Sequence, residues 1–318
     1  TVDKVKEVAK AKATEVATSA DFKAKLPDGA KDVEVGAITE EVLAAITSEA
    51  GSNKGTVKVP VTYTVDGVKY TKDAAITVNV VGSNADPVYV VEGDKPEVDK
   101  VKDAVKPGEG GTVQDPMEVD LPNTNDKVGA TDVTVPTKVK YANGEETVKV
   151  PVTVLPKVTP EGVKVLKDST DLEEVVKAKA TEAATATTKL PDGVTVRVKE
   201  VKAETVPATT ATGVQTPATV VVEYVKDGNA VASKEVKVPV TVVGSTPKSL
   251  VVFEGDTVEA KTVQDAVTPG TDGTKGNPAI PEDLTKATGK KEVTVPVTYE
   301  GVKDPEQVKV PVTVLPVA

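Results

Sequence analysis

The chain has 318 residues with a net charge of −10 and a pI near 4.9. With no basic stripe to neutralise phosphates, neither nucleic acid nor an anionic membrane surface is expected as a partner. His, Cys and Trp are absent and Phe occurs only twice, so Ser-His and Cys-His pairs and ordinary zinc or haem sites are excluded. Valine supplies 66 residues, and branched side chains suit a pleated surface, so the chain reads as mainly β. The poverty of aromatics also argues against a carbohydrate-stacking or base-stacking platform. No run approaches the roughly 18–20 apolar residues of a spanning helix, so no membrane insertion is expected. No signal peptide is visible, and the helical sequence from Thr1 reads as an excised or mature segment. The lack of cysteine fits cytosol and disulfide-free surface proteins alike.

The heptad Val-Lys-Val-Pro-Val-Thr-Val occurs at 148–154, 236–242 and 308–314, with near-copies at 57–63, 133–139 and 293–299. Val-Val-Gly-Ser recurs at 80–83 and 242–245, Glu-Gly-Asp at 92–94 and 254–256, and Ala-Lys-Ala-Thr-Glu at 11–15 and 178–182. Repetition of this kind marks one structural unit used several times. Blocks of 1–83, 84–157, 158–245 and 246–318 follow, two longer A-type units alternating with two shorter B-type units.

In block one, Val5, Val8, Ala9 and Val16 make a helical stripe, and Asp66-Gly67 turns the closing hairpin. Thr1 aligns near Asp168, so block one is expected to lack the opening strand seen later, as at a cut boundary. Block two opens with a strand at Val88–Val91 and continues with a short helix around Pro96–Val105, ended by Pro107-Gly108. Its hairpin runs through Val133, Val135, Val139 and Tyr141, turns at Ala142-Asn143-Gly144, and returns through Val148, Val150, Val152 and Val154. Block three has a strand at Val163–Leu166 and capping-box spacing from Thr170 to Glu173. Leu172, Val175, Val176, Ala180, Ala183 and Ala184 then form an apolar stripe, and Asp227-Gly228 turns the hairpin. Block four has a strand at Leu250–Phe253, and Glu300-Gly301 turns its hairpin.

Strict period-2 alternation predicts one buried and one wet face per strand, as in a sandwich of antiparallel sheets. Pro60, Pro151, Pro239 and Pro311 sit between buried valines and therefore face solvent. Pro136 with Pro151, and Pro296 with Pro311, fall on both arms of one hairpin, which predicts a bulge or a switch of sheet. The connections Gly82 to Pro87, Lys157 to Gly162 and Gly244 to Lys248 are short and suit a semi-rigid rod. Blocks of about 75–85 residues in line would reach roughly 130–150 Å, against about 45 Å for one compact ball.

The opening strand, Val-Lys-Asp-Ala-Val (101–105) or Val-Gln-Asp-Ala-Val (263–267), a Leu-Pro, and the closing Val/Thr/Pro hairpin together resemble the Rib/alpha-like repeat domains. Blocks two and four match over about 74 residues each. Blocks one and three match at their hairpins and at Lys-Leu-Pro-Asp-Gly (25–29 and 189–193). The resemblance implies tandem immunoglobulin-like modules, each with a short helix, on cell-wall-anchored surface proteins of Gram-positive bacteria. It implies an extracellular, probably-anchored-elsewhere fragment of an adhesin stalk: monomeric, non-enzymatic, and projecting distal binding regions. The alternative is that the A-type units themselves bind a host epithelial or matrix protein or a glycan, through insertions at Thr39–Ala50 and Glu204–Gly213.

No catalytic, cofactor-binding or metal-binding residue is assigned. The carboxylate pairs Glu40-Glu41, Glu145-Glu146 and Glu173-Glu174 read as solvated charge in helix starts or turns. Leu-Pro-Lys-Val-Thr (155–159) reads as a strand end leading into a linker. Asn123, Asn125, Asp126 and Asp132 offer oxygen ligands without EF-hand spacing, and read as a turn bonding its own backbone. Asn79, Asn84 and Asn143 have Lys and acids near in sequence, the ingredients of an isopeptide cross-link, which would need burial. Tyr63, Tyr141, Tyr224 and Tyr299 each end a hairpin strand and are expected to plug one end of a core.

Overall fold

The computed structural model describes residues 2–39 and 51–317, in which the chain is mainly β with several separate sheets. It divides into two compact units, Thr1–Thr153 and Val154–Ala318.

The first unit begins with helices α1 (Val2–Thr18) and α2 (Ala20–Lys23), followed by β1 (Lys31–Val35), β2 (Gly51–Val65) and β3 (Val68–Val80). These strands form an antiparallel sheet in the order β1-β2-β3. α1 lays Ala9, Ala13 and Ala17 against Val57, Val59, Val61, Ala74 and Val78. Their four-residue spacing keeps them on one helix face. With nothing beyond Cβ, they let the helix approach the sheet closely, which leaves Val5, Val8 and Val16 half-buried at the flanks.

Next come β4 (Asn84–Ala85), β5 (Val88–Val91), α3 (Val98–Ala104), β6 (Val105–Lys106), β7 (Thr112–Val113), β8 (Thr134–Tyr141) and β9 (Gly144–Leu155). One sheet has the order β5-β9-β8-β7, and β4 pairs separately with β6.

The second unit repeats the scheme. β10 (Val163–Leu166), α4 (Leu172–Ala186), β11 (Val194–Val201), β12 (Gly213–Lys226) and β13 (Asn229–Val243) give a sheet ordered β10-β13-β12-β11. Leu172, Val176, Ala180 and Ala184 are the buried face of α4. Then follow β14 (Thr246–Pro247), β15 (Leu250–Phe253), α5 (Ala260–Asp265), β16 (Val267–Thr268), β17 (Thr274–Lys275), β18 (Gly289–Thr298) and β19 (Glu306–Leu315). The sheet order is β15-β19-β18-β17, with β14 on β16.

Several expectations need correction. In blocks one and three the layer facing the sheet is a helix, because a 17-residue and a 15-residue helix each carry a stripe long enough to cover it. In block four the facing layer is α5 with β16, whose Val263, Ala266 and Val267 pack on Val293 to Val297 and Val308 to Val314. The opening strands are also not antiparallel: β10 runs parallel to β13, and β15 runs parallel to β19. The capping box does not form, since Asp171 rather than Thr170 is the N-cap and makes no side-chain cap bond.

The turns divide similarly. Asp66-Gly67 and Asp227-Gly228 occupy two-residue turns with both φ positive, the geometry that matches strand twist. In block two the loop is Ala142-Asn143, because Gly144 already pairs with Tyr141. In block four β18 and β19 rejoin only at Val297 and Glu306, after a longer loop containing Gly301 and Pro305.

The prolines need no bulge in these hairpins. Thr134 faces Pro151 and Pro136 faces Lys149 in unbroken register, as Glu292 faces Pro311 and Pro296 faces Gln307. Even spacing puts each proline at a position whose nitrogen points away from its hairpin partner. On the return strand the missing donor causes no loss: β10 begins opposite Val240 and β15 opposite Val312, one residue past Pro239 and Pro311. The near-copy at 133–139 is offset by two positions, since Val139 faces Glu146 where Val297 faces Glu306. Lys138, whose carbonyl accepts from Gln114 N at 2.8 Å, therefore stands where Pro296 accepts from Gly276 N at 2.7 Å.

Candidate functional site

The feature that recurs with conserved chemistry in both units is the joint between an A-type and a B-type block. Each joint starts where Val-Val-Gly-Ser leaves the A-type hairpin. The residues just after it are zipped onto the B-type block: Asn84 and Ala85 pair with Lys106 and Val105, and Thr246 and Pro247 pair with Thr268 and Val267. Asp86 N then donates to Ala104 O at 2.9 Å, and Lys248 N to Ala266 O at 2.7 Å. The expected linkers Gly82 to Pro87 and Gly244 to Lys248 are thus short ladders with little freedom left.

A tyrosine locks each ladder. Ser83 Oγ lies 2.6 Å from the Tyr141 hydroxyl, Gly108 N donates to that hydroxyl at 3.0 Å, and Ser83 N donates to Glu146 Oε2 at 3.0 Å. In the second unit Ser245 Oγ lies 2.8 Å from the Tyr299 hydroxyl, Gly270 N donates to it at 3.1 Å, and Ser245 N donates to Glu306 Oε1 at 2.9 Å. Tyr299 donates its own proton to Glu306 Oε2 at 2.9 Å, and Tyr141 to Glu146 Oε2 at 3.3 Å. Each hydroxyl therefore both donates and accepts, with a carboxylate as the strong acceptor.

Glycine is required at the base of the lock. A Cβ on Gly108 would stand 2.5 Å from Gly82 O, and one on Gly270 would stand 2.7 Å from Gly244 O. Either would also approach the tyrosine hydroxyl, at 3.1 Å.

Burial pushes the Tyr299 hydroxyl above its ordinary pKa of 10.0, and Glu306 acts in the same direction, while the Ser245 and Gly270 donors oppose it. The neutral phenol is thus favoured by folding, so its contribution is fully present below the unfolded tyrosine pKa near 10. It is lost as pH rises through the folded value. Urea titrations of the chain are expected to show stability falling above about pH 10, and falling less steeply in Tyr299→Phe.

Of the four tyrosines read as core plugs, Tyr63, Tyr224 and Tyr299 are buried and Tyr141 is half-buried. Tyr224 donates to Pro156 O at 2.5 Å, pinning the segment that follows Leu155. That segment includes the Leu-Pro-Lys-Val-Thr run, where Leu155, Pro156, Val158 and Pro160 are buried. Tyr63 instead stacks on Tyr70, with ring centroids 5.9 Å apart.

Asn123 Oδ1 accepts from Asn125 N at 3.0 Å, and Asp126 N donates to Glu92 Oε1 at 3.0 Å. Among the described residues no group of three or more His, Cys, Asp or Glu is placed to hold a metal. Asn79, Asn84 and Asn143 are all exposed, and so are Glu173 and Glu174. Glu40-Glu41 and most of the Thr39–Ala50 insertion lie outside the described residues. In the second insertion, Ala203–Thr205 forms a single 3-10 turn. No described helix is long and apolar enough to cross a membrane.

The joint uses residues that the sequence reading passed over. Glu146 was grouped with solvated turn charge, although it is half-buried and holds Ser83. The signal was present: Val-Val-Gly-Ser, Pro-Gly at 107–108 and 269–270, and a Tyr followed by Glu across a hairpin all recur in pairs.

No family model matches the chain, and no curated protein matches it. Among solved structures, an endo-fucoidan hydrolase of glycoside hydrolase family 107 is 12% identical, over 75% of this chain and 45% of that one, with a TM-score of 0.18. This chain therefore spans under half of the hydrolase's length. The extracellular cadherin domains 1–5 of protocadherin gamma B2 are 10% identical, over 90% and 72% of the two chains, with a TM-score of 0.16. The insect immune protein hemolin is 10% identical, over 92% and 93%, with a TM-score of 0.17. At these scores the likenesses carry no argument about fold or activity.

Proposed function

We propose that the chain is a non-enzymatic spacer from an extracellular, cell-wall-anchored adhesin of the Rib/alpha-like kind, built from immunoglobulin-like modules in tandem. Its role is mechanical: it holds distal binding regions away from the cell envelope. The observation that carries this reading is the joint itself. The same Ser-Tyr-Glu-Gly arrangement fixes the A-to-B connection in both units, at Ser83 with Tyr141 and at Ser245 with Tyr299. A chain under load gains from stiff connections, because every flexible linker shortens the mean reach. Charged side chains outside and valines inside leave each block soluble beside its neighbours, and outward-facing prolines such as Pro151, Pro239 and Pro311 discourage edge pairing between crowded copies.

Small-angle scattering of the whole chain tests the spacer directly. The expected maximum dimension is roughly 130–150 Å. A value under about 80 Å would remove the projecting role.

A further inference from the structure

We propose that block one carries a strand-docking groove, which takes an extended segment of another polypeptide with the pattern Glu-Gly-Val-x-Val-Leu, laid parallel to β3. Among the described residues β3 ends its sheet, which has three strands where block three has four. The extra strand in block three is β10, paired in parallel on β13 from Val163 opposite Val240 to Leu166 opposite Val243. The repeated Val-Val-Gly-Ser aligns Val78, Val80 and Val81 with Val240, Val242 and Val243. Beneath β10, Val243 is 4% exposed, whereas Val81 is 44% exposed.

The space that β10 fills beside α4 has an open counterpart in block one. A groove of ≈ 630 Å³ runs between α1 and β3, lined by Val5, Val8, Ile76, Val78 and Val80, and it reaches Tyr141 and Glu146 of the joint. An open strand edge beside an apolar floor selects an extended peptide: main-chain bonds hold it and alternate side chains fill the floor. In β10 those floor residues are Val163 and Val165, both buried. Leu166, at the far end, packs against the core that contains Tyr299. A docked strand would therefore meet the Tyr141 joint in the same way.

Charge complementarity sets the acidic residue of the pattern. Lys179 on α4 reaches Glu161, two positions before β10, at 3.8 Å. Ala-Lys-Ala-Thr-Glu places Lys12 where Lys179 stands, and Lys12 lines the groove. An incoming strand with glutamate at that position would find the same cation.

The test uses the full chain and a synthetic peptide with the sequence of residues 159–168. Saturable shifts of the Val78–Val81 amide resonances and a raised melting temperature are expected. A peptide carrying Val165→Asp should not bind. Lys12→Glu, an exposed substitution that leaves the fold intact, should weaken binding by about threefold, the scale of a surface ion pair. A peptide with Glu161→Lys should recover that loss. Absence of saturable shifts at peptide concentrations on the order of 1 mM, or an equal response to the Val165→Asp peptide, would overturn the proposal. Self-association of the chain that the peptide fails to displace would overturn it too, by showing the groove occupied by a second copy.

Discussion

Gly270→Ala is expected to release block four from block three while leaving both folded. The added methyl would lie 2.7 Å from Gly244 O, a backbone atom that cannot swing aside, and 3.1 Å from the Tyr299 hydroxyl. Overpacking of this kind costs about 1–3 kcal/mol, and relief is available only by opening the joint. Opening it breaks the bonds from Ser245 to Glu306 and Tyr299 and from Gly270 to Tyr299, each worth about 1 kcal/mol. The two blocks keep their own cores, so the loss is of connection rather than of fold. Nitrogen-15 relaxation should show one correlation time for both blocks in the parent chain and two shorter ones in the variant. Gly108→Ala should do the same in the first unit, where the clash with Gly82 O is closer still, at 2.5 Å. Thr271→Ala, exposed one residue away, should change neither.

Tyr224→Ala is expected to have the largest effect on stability, lowering that of block three by about 3–5 kcal/mol, as removal of a buried aromatic ring does. Tyr224 is the largest of the fully buried side chains, in a core otherwise built from Val, Leu and Ala. Small neighbours on a rigid sheet cannot collapse into the space. Tyr224→Phe separates the ring from its hydroxyl. It keeps the packing and leaves Pro156 O without its bond from the phenol, so the expected loss is about 1 kcal/mol. Urea unfolding followed by circular dichroism would read both, with the Ala variant losing several times more than the Phe variant.

The strands were legible in the sequence because their signal is local. Val88–Val91, Val163–Leu166 and Leu250–Phe253 form strands with the expected bounds. The valines at alternate positions from 148 to 154, 236 to 242 and 308 to 314 are buried. What pattern could not give was partnership. Alternation shows which face is wet, yet it is silent on whether the opening strand runs with or against its neighbour, and it ran parallel. The proline puzzle had the same origin: two prolines on facing arms conflict only if both nitrogens point inward, and parity within the register prevents that.

The joint stayed hidden for a different reason. Its members are separated by 58 and 63 residues in the first unit, and each reads as ordinary when met singly. Tyr141 looks like a plug, Glu146 like turn charge, and Gly108 like a helix stop. Only the duplication exposes them as a set. In the second unit the same contacts persist although the hairpin between Tyr299 and Glu306 is longer, seven positions against five.

Residual dipolar couplings measured on the second unit's two blocks in the intact chain test the locked joint most directly. If Ser245, Tyr299, Glu306 and Gly270 hold the connection, couplings from residues 163–243 and 246–315 will fit one common alignment tensor, and the double substitution Tyr299→Phe with Glu306→Gln will split it. Two unrelated tensors in the unaltered chain would contradict a fixed joint, and with it the stiffness on which a spacer depends.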